Sequence, residues 1–126
     1  MKSAISTQHA PAAIGPYSQA IAFNGMLYLS GQIPLNPESG ELAGDDIESQ
    51  TRQVLNNIDA ILTAAGTSKQ HIVKTTIFIT DMNHFAQVNA LYERYLNGTV
   101  FPARSTIEVS ALPKGSLVEI ELIAAH

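Results

Sequence analysis

Hydrophobic positions follow two periods along the chain, one of two residues and one close to three and a half. Ser18-Gln19-Ala20-Ile21-Ala22-Phe23 and Met26-Leu27-Tyr28-Leu29-Ser30 flank Asn24-Gly25, the pattern of a β-hairpin closed by a two-residue turn. A type I′ turn pairs Phe23 with Met26, Ile21 with Tyr28, Gln19 with Ser30 and Tyr17 with Gln32, which puts all eight on one face. Ala20, Ala22, Leu27 and Leu29 occupy the other. Both faces are largely apolar, which a sheet with one wet side does not need. From Gly31 to Gly44 the chain holds two prolines and three glycines and reads as a loop.

A helix follows. Asp45 or Asp46 caps it, Ile47, Val54, Leu55, Ile58, Ile61, Leu62 and Ala65 form its apolar stripe, and Gly66 ends it. The β-branched run Ile72 to Thr80 predicts a strand inside the sheet. Asp81 or Asn83 caps a second helix carrying Phe85, Val88, Leu91, Tyr92, Tyr95 and Leu96, stopped by Asn97-Gly98. Strands at Arg104 to Val109 and Leu117 to Ile123 close the chain around Leu112-Pro113-Lys114-Gly115. The predicted order is ββαβαββ, an α+β two-layer domain spanning 1–126, with two helices on one face of a mixed sheet. Two helices cover only one face. Copies of the same chain packed about a symmetry axis would cover the other, so a closed homo-oligomer is expected.

Composition narrows the function. The chain has 126 residues, 45% of them hydrophobic, and seven Lys and Arg against eleven Asp and Glu give a net charge of −4. The basic residues are scattered, so nucleic acid is not an expected partner. No apolar run suffices for a signal peptide or a bilayer span, and a soluble cytoplasmic protein is expected. The absence of cysteine excludes disulfides, a thiolate nucleophile and a zinc ribbon. Glycine-rich nucleotide loops and a Gly-x-Ser-x-Gly elbow are missing. His9, His71, His84 and His126 lie far apart, so neither metal nor cofactor is expected.

Two features carry candidate chemistry. Arg104, one of three arginines, stands at the mouth of a predicted strand and shares a face with Thr106 and Glu108. Its planar fork suits two-point capture of a small carboxylate. Glu119 and Glu121 point from one face of the last strand, in a row with Leu117 and Ile123, where a carboxylate needs a partner or a task.

Gly15-Pro16-Tyr17-Ser18-Gln19-Ala20, Ser30-Gly31-Gln32-Ile33-Pro34, Pro102-Ala103-Arg104-Ser105, Leu112-Pro113-Lys114 and Val118-Glu119-Ile120-Glu121 together resemble the RidA family. The resemblance runs over essentially the whole chain. It implies a chorismate-mutase-like fold, a homotrimer with sheets around the axis, and three ligand sites in clefts between subunits. It further implies hydrolytic deamination of 2-aminoacrylate and 2-iminobutanoate, the reactive products of pyridoxal-phosphate-dependent threonine and serine dehydratases, to 2-oxo acids and ammonia. On the same basis Arg104 is expected to bind the substrate carboxylate and Glu119 to position or activate water. Tyr17 and Ser30 would line the pocket, and the backbone near Gly31 would add a hydrogen bond. Many members carry cysteine where this chain has Thr106, which is expected to line the pocket without performing chemistry; the exchange removes sulfur chemistry but not hydrolysis. Some members are described as endoribonucleases or translation inhibitors, others as ligand-responsive proteins. The acidic charge and the lack of a histidine pair weigh against RNA cleavage. A small-acid sensor would use the same arginine and pocket, and only turnover separates it from an enzyme.

Overall fold

A computed structural model of the protein describes residues 1–126. Its elements are β1 (Ser3–Ile5), β2 (Ala20–Phe23), β3 (Met26–Gln32), α1 (Ile47–Ala64), β4 (Ile72–Ile79), α2 (Phe85–Tyr95), β5 (Ala103–Glu108) and β6 (Val118–Ala125). The strands form one six-stranded sheet in the order β1-β2-β3-β6-β4-β5. β4 and β5 run parallel and the other neighbours antiparallel, so the sheet is mixed and β4 is internal. β1 is absent from the sequence reading. Its three residues carry too little pattern to announce a strand, and it exists by pairing Ala4 with Ile21 and Ile5 with Ala20.

Local signals set most boundaries. Asn24 and Gly25 have φ of 52° and 75°, the double positive φ that a type I′ turn requires, and Phe23 pairs with Met26 as expected. Asp46 caps α1 by accepting a hydrogen bond from Ser49 N. Asp81 caps a short 3₁₀ turn, Met82–His84, that leads into α2, so neither proposed cap residue starts the α-helix itself.

Both helices lie on one face of the sheet. There Leu27, Leu29, Ile77, Ile79, Val118, Ile120, Leu122 and Ala124 meet Val54, Ile58, Ile61, Leu62, Val88 and Leu96 in a single core. Burying each large side chain contributes about 1.5–3 kcal/mol, and this stripe is what holds the layers together. The opposite face is uncovered. Phe23 and Tyr28 are 43% and 44% exposed and Ile107 is 45% exposed, beside Phe78 and Ile123 in register. No helix is long and apolar enough to cross a membrane.

One register expectation fails. Between Leu29 and Gln32 the β3–β6 pairing shifts, so Leu29 faces Leu122 while Gln32 faces Ile120. Three steps on β3 match two on β6, a β-bulge at Ser30-Gly31. Gln32 is thereby turned to the core face, where it is 5% exposed, instead of sharing a face with Ser30.

Candidate active site

The bulge builds one half of the site. Ser30 and Gly31 together lie opposite Glu121, between the pairs Leu29–Leu122 and Gln32–Ile120. Ser30 Oγ donates to Ser18 O at 2.6 Å and Ser30 N donates to Gln19 O at 3.0 Å, which ties the bulge to the segment carrying Tyr17. Gln19 is 4% exposed. Its side chain bonds Thr7 N and the carbonyls of Thr7 and Pro11 at 2.7, 3.0 and 2.8 Å, fixing the N-terminal loop over β2. The result is a cavity of about 690 Å³ lined in part by Tyr17, Ser30, Gly31, Lys114, Glu119 and Glu121.

Glu119 is its electrostatic focus. Val118, Ile120 and Leu122 point into the core, so strand alternation sends Glu119 and Glu121 to the uncovered face. Glu119 sits in the row Ile107–Phe78–Glu119. Burial pushes its carboxyl above the usual carboxylate range, and the charge of Glu121 adds to the effect. The chain's ion pair joins Arg52 to Glu48 and leaves Glu119 without a cation. Gly31 is glycine for reasons of space: its φ is not positive, but a Cβ there would stand 2.7 Å from Glu119 Cδ and 3.1 Å from Cγ. Lys114 closes the cavity from the loop after β5, held at a left-handed φ of 59°.

Arg104 lies elsewhere. It pairs with Thr75, and Thr106 with Ile77, and since Thr75 and Ile77 are 2% and 0% exposed beneath the helices, Arg104 and Thr106 take the helix-covered side. The Arg104 guanidinium stays exposed at the edge strand, in a second cavity of about 330 Å³ lined by Asn89, Tyr92, Glu93, Phe101, Pro102 and Arg104. Its Nη1 donates to Asn89 Oδ1 at 2.6 Å. Its carbon lies 5.5 Å and 5.2 Å from the ring centres of Phe85 and Tyr92. Thr106 Oγ1 is buried without a hydrogen-bond partner.

Within one chain, then, Tyr17, Ser30, Gly31 and Glu119 come together, while Arg104 and Thr106 project from the other face of the sheet. The two cavities share no residue. Asn89 escaped the sequence reading, which gives Lys114, within Leu112-Pro113-Lys114, no role at the site. Asn89 had a signal, because Phe85, Asn89 and Tyr92 share one helical face at i, i+4 and i+7; Lys114 enters the cavity lining only in the folded chain. No group of three or more His, Cys, Asp or Glu side chains is arranged to hold a metal ion.

A family model described as Endoribonuclease L-PSP matches residues 7–126, and the solved structure of a conserved Rid-family protein from Yersinia pestis superposes with a TM-score of 0.99 at 67% identity, covering 100% of both chains. The chain belongs to the RidA family. The 2-iminobutanoate/2-iminopropanoate deaminase of Escherichia coli is 50% identical over 128 aligned positions, covering 100% of this chain and 99% of the relative. The structure of Escherichia coli TdcF with bound serine superposes with a TM-score of 0.95 at 44% identity over 98% of both chains. The α+β fold with two helices on a mixed sheet is thus the RidA fold.

Proposed function

We propose that the protein hydrolyses 2-imino acids and their enamine tautomers, such as 2-iminobutanoate and 2-aminoacrylate, to 2-oxo acids and ammonia. The observation that carries this reading is the half-buried, cation-free Glu119 carboxyl facing an open cavity beside Tyr17 and Ser30, with its proton affinity raised. The half-identical deaminase supports it.

The active unit is proposed to be a homotrimer. Arg104 of one copy and the Glu119 cavity of a neighbour would share one ligand, because the two lie on opposite faces of a single chain. The uncovered apolar face, with Phe23, Tyr28 and Ile107 exposed, supports that assembly.

Arg104 holds the substrate carboxylate through paired N–H donors. Water held at Glu119 adds to C2 of the imine, Glu119 takes the proton released, and the C–N bond of the resulting carbinolamine breaks. The departing nitrogen leaves as ammonia after receiving a proton, and the C2 hydroxyl becomes the 2-oxo group. Burial and the charge of Glu121 raise the proton affinity of Glu119, which suits a group that both accepts and returns a proton. Imine hydrolysis is intrinsically easy, so capture and orientation are the main contribution. Nothing in this sequence of steps calls on a metal or cofactor.

Capture of a small acid without turnover is the second reading, favoured by the serine bound to the TdcF relative. One experiment decides between them. The protein is mixed with a threonine dehydratase, and 2-iminobutanoate decay is followed against 2-oxobutanoate appearance. Acceleration over buffer establishes the deaminase; an unchanged decay rate together with measurable 2-oxobutanoate binding leaves the sensor.

A further inference from the structure

We infer that Asn89 is the positioning residue for Arg104: its side-chain amide fixes the guanidinium while leaving the positive charge whole for a ligand carboxylate. This rests on the carboxylate-binding role of Arg104 given above.

Three side chains of α2 surround the guanidinium from one helical face. Phe85 and Tyr92 present their rings 5.5 Å and 5.2 Å from its carbon, a cation–π arrangement that fixes the plane's location but not its rotation. Asn89 Oδ1, at 2.6 Å from Nη1, fixes the rotation. Tyr92 is itself immobilised, because its hydroxyl shares a 2.7 Å buried hydrogen bond with Thr75. Thr75 is the neighbour of Arg104 across the β4–β5 ladder, so the ring that supports the guanidinium is anchored to the strand beside it. With Nη1 engaged by Asn89, the edge formed by Nε and Nη2 keeps two parallel N–H donors free for a bidentate carboxylate.

The choice of partner chemistry is the informative point. An arginine whose task is to brace a fold is satisfied best by a carboxylate, and Glu93 lines the same cavity. Yet the chain's ion pair joins Arg52 and Glu48, and Arg104 takes the neutral amide instead. An amide oxygen orients without neutralising, so the cation's attraction for an incoming anion survives. A carboxylate at residue 89 would orient equally well and cancel that attraction.

Asn89→Asp is therefore the decisive variant, since it is isosteric and strengthens the bond to Arg104 while competing with the ligand. Binding of 2-oxobutanoate by titration calorimetry and imine turnover would be measured for the wild type, Asn89→Ala and Asn89→Asp. Asn89→Ala is expected to weaken binding roughly tenfold, about the worth of one hydrogen bond to a charged group. Asn89→Asp is expected to weaken it further, with an undiminished melting temperature and with KM affected more than kcat. Lowering the pH toward protonation of the new carboxyl should restore affinity in that variant alone. Wild-type affinity in Asn89→Asp overturns the inference, as does a loss confined to stability. A wild type that binds 2-oxobutanoate without turnover removes the deaminase reading and leaves the role of Asn89 intact if the variants still lose affinity. A wild type with no affinity for the acid removes both.

Discussion

The Glu119 carboxyl occupies the space into which any side chain at residue 31 would grow. A Cβ on Gly31 would lie 2.7 Å from Glu119 Cδ and closer still to its Oε2. Because the obstructed atoms are the far end of a flexible side chain, a substitution would displace the carboxyl and not the sheet. Gly31→Ala is therefore expected to melt near the wild-type temperature while turnover falls roughly hundredfold, the cost of a small misplacement of a reacting group. Wild-type turnover in that variant would show that the position of Glu119 does not matter.

The raised pKa of Glu119 has a definite sign in stability. The folded chain holds this proton more tightly than the unfolded chain, so the contribution is complete below the ordinary carboxylate range and is lost as pH rises through the folded value. Above that window an ionised, partly buried carboxylate opposes folding. Glu119→Gln should accordingly melt higher than wild type at about pH 8 and alike at about pH 4, while losing deaminase activity. Thermal scans at the two pH values test it, and an equal difference at both would refute the assignment.

Arg104→Lys keeps the charge and loses the fork. Turnover is expected to drop by roughly a hundredfold, with weaker 2-oxobutanoate binding, because one ammonium cannot hold a carboxylate in two-point geometry or stack on the rings of Phe85 and Tyr92 as a planar guanidinium can. Arg104→Ala should lose turnover altogether and retain the oligomer, since the side chain packs in no apolar core and lies on the face opposite the uncovered apolar one. Steady-state kinetics with light scattering read both; full activity of the alanine variant sinks the site.

Thr106 tests whether the hydroxyl does chemistry. Its Oγ1 is buried without a partner, and an unsatisfied hydroxyl costs stability that an isosteric methyl does not. Thr106→Val should be as stable as wild type or up to about 1 kcal/mol more stable, with turnover within about threefold. Thr106→Cys should remain active. A hundredfold loss in either, about 2.7 kcal/mol, would give the hydroxyl a direct role.

The uncovered sheet face predicts the assembly. Light scattering during size-exclusion chromatography should give about three times the 13.5 kDa chain mass. Tyr28→Glu, placed among Ile21 and Ile123 in the register, should dissociate the oligomer and abolish turnover while leaving a folded chain. An active monomer would rule out a site shared between copies.

Much of this protein was decided within short windows of its sequence. Asn24-Gly25 supplies the two positive-φ residues of a type I′ turn, and that alone fixes the pairing of Phe23 with Met26 and of Ile21 with Tyr28. The apolar stripe from Ile47 to Leu62, the cap at Asp46 and the turn at Gly66 define α1 in the same way, because each depends on neighbours a turn or less away. Alternation along β6 likewise separates Glu119 and Glu121 from the buried Val118 and Ile120. What no window contains is the absolute side of the sheet. Period two says that Arg104 and Thr106 share a face, but only the parallel register against Thr75 and Ile77 shows that it is the helix-covered one. The extra residue at Ser30-Gly31 is equally invisible, since a bulge is defined by the count on the opposing strand, here the stretch from Ile120 to Leu122, about ninety positions away in the chain. That distant pairing turns Gln32 inward and brings Gly31 against Glu119. The separation of Arg104 from Glu119 follows from burial of α1 and α2 on one face, a choice that belongs to the packed sheet as a whole and to no residue in it.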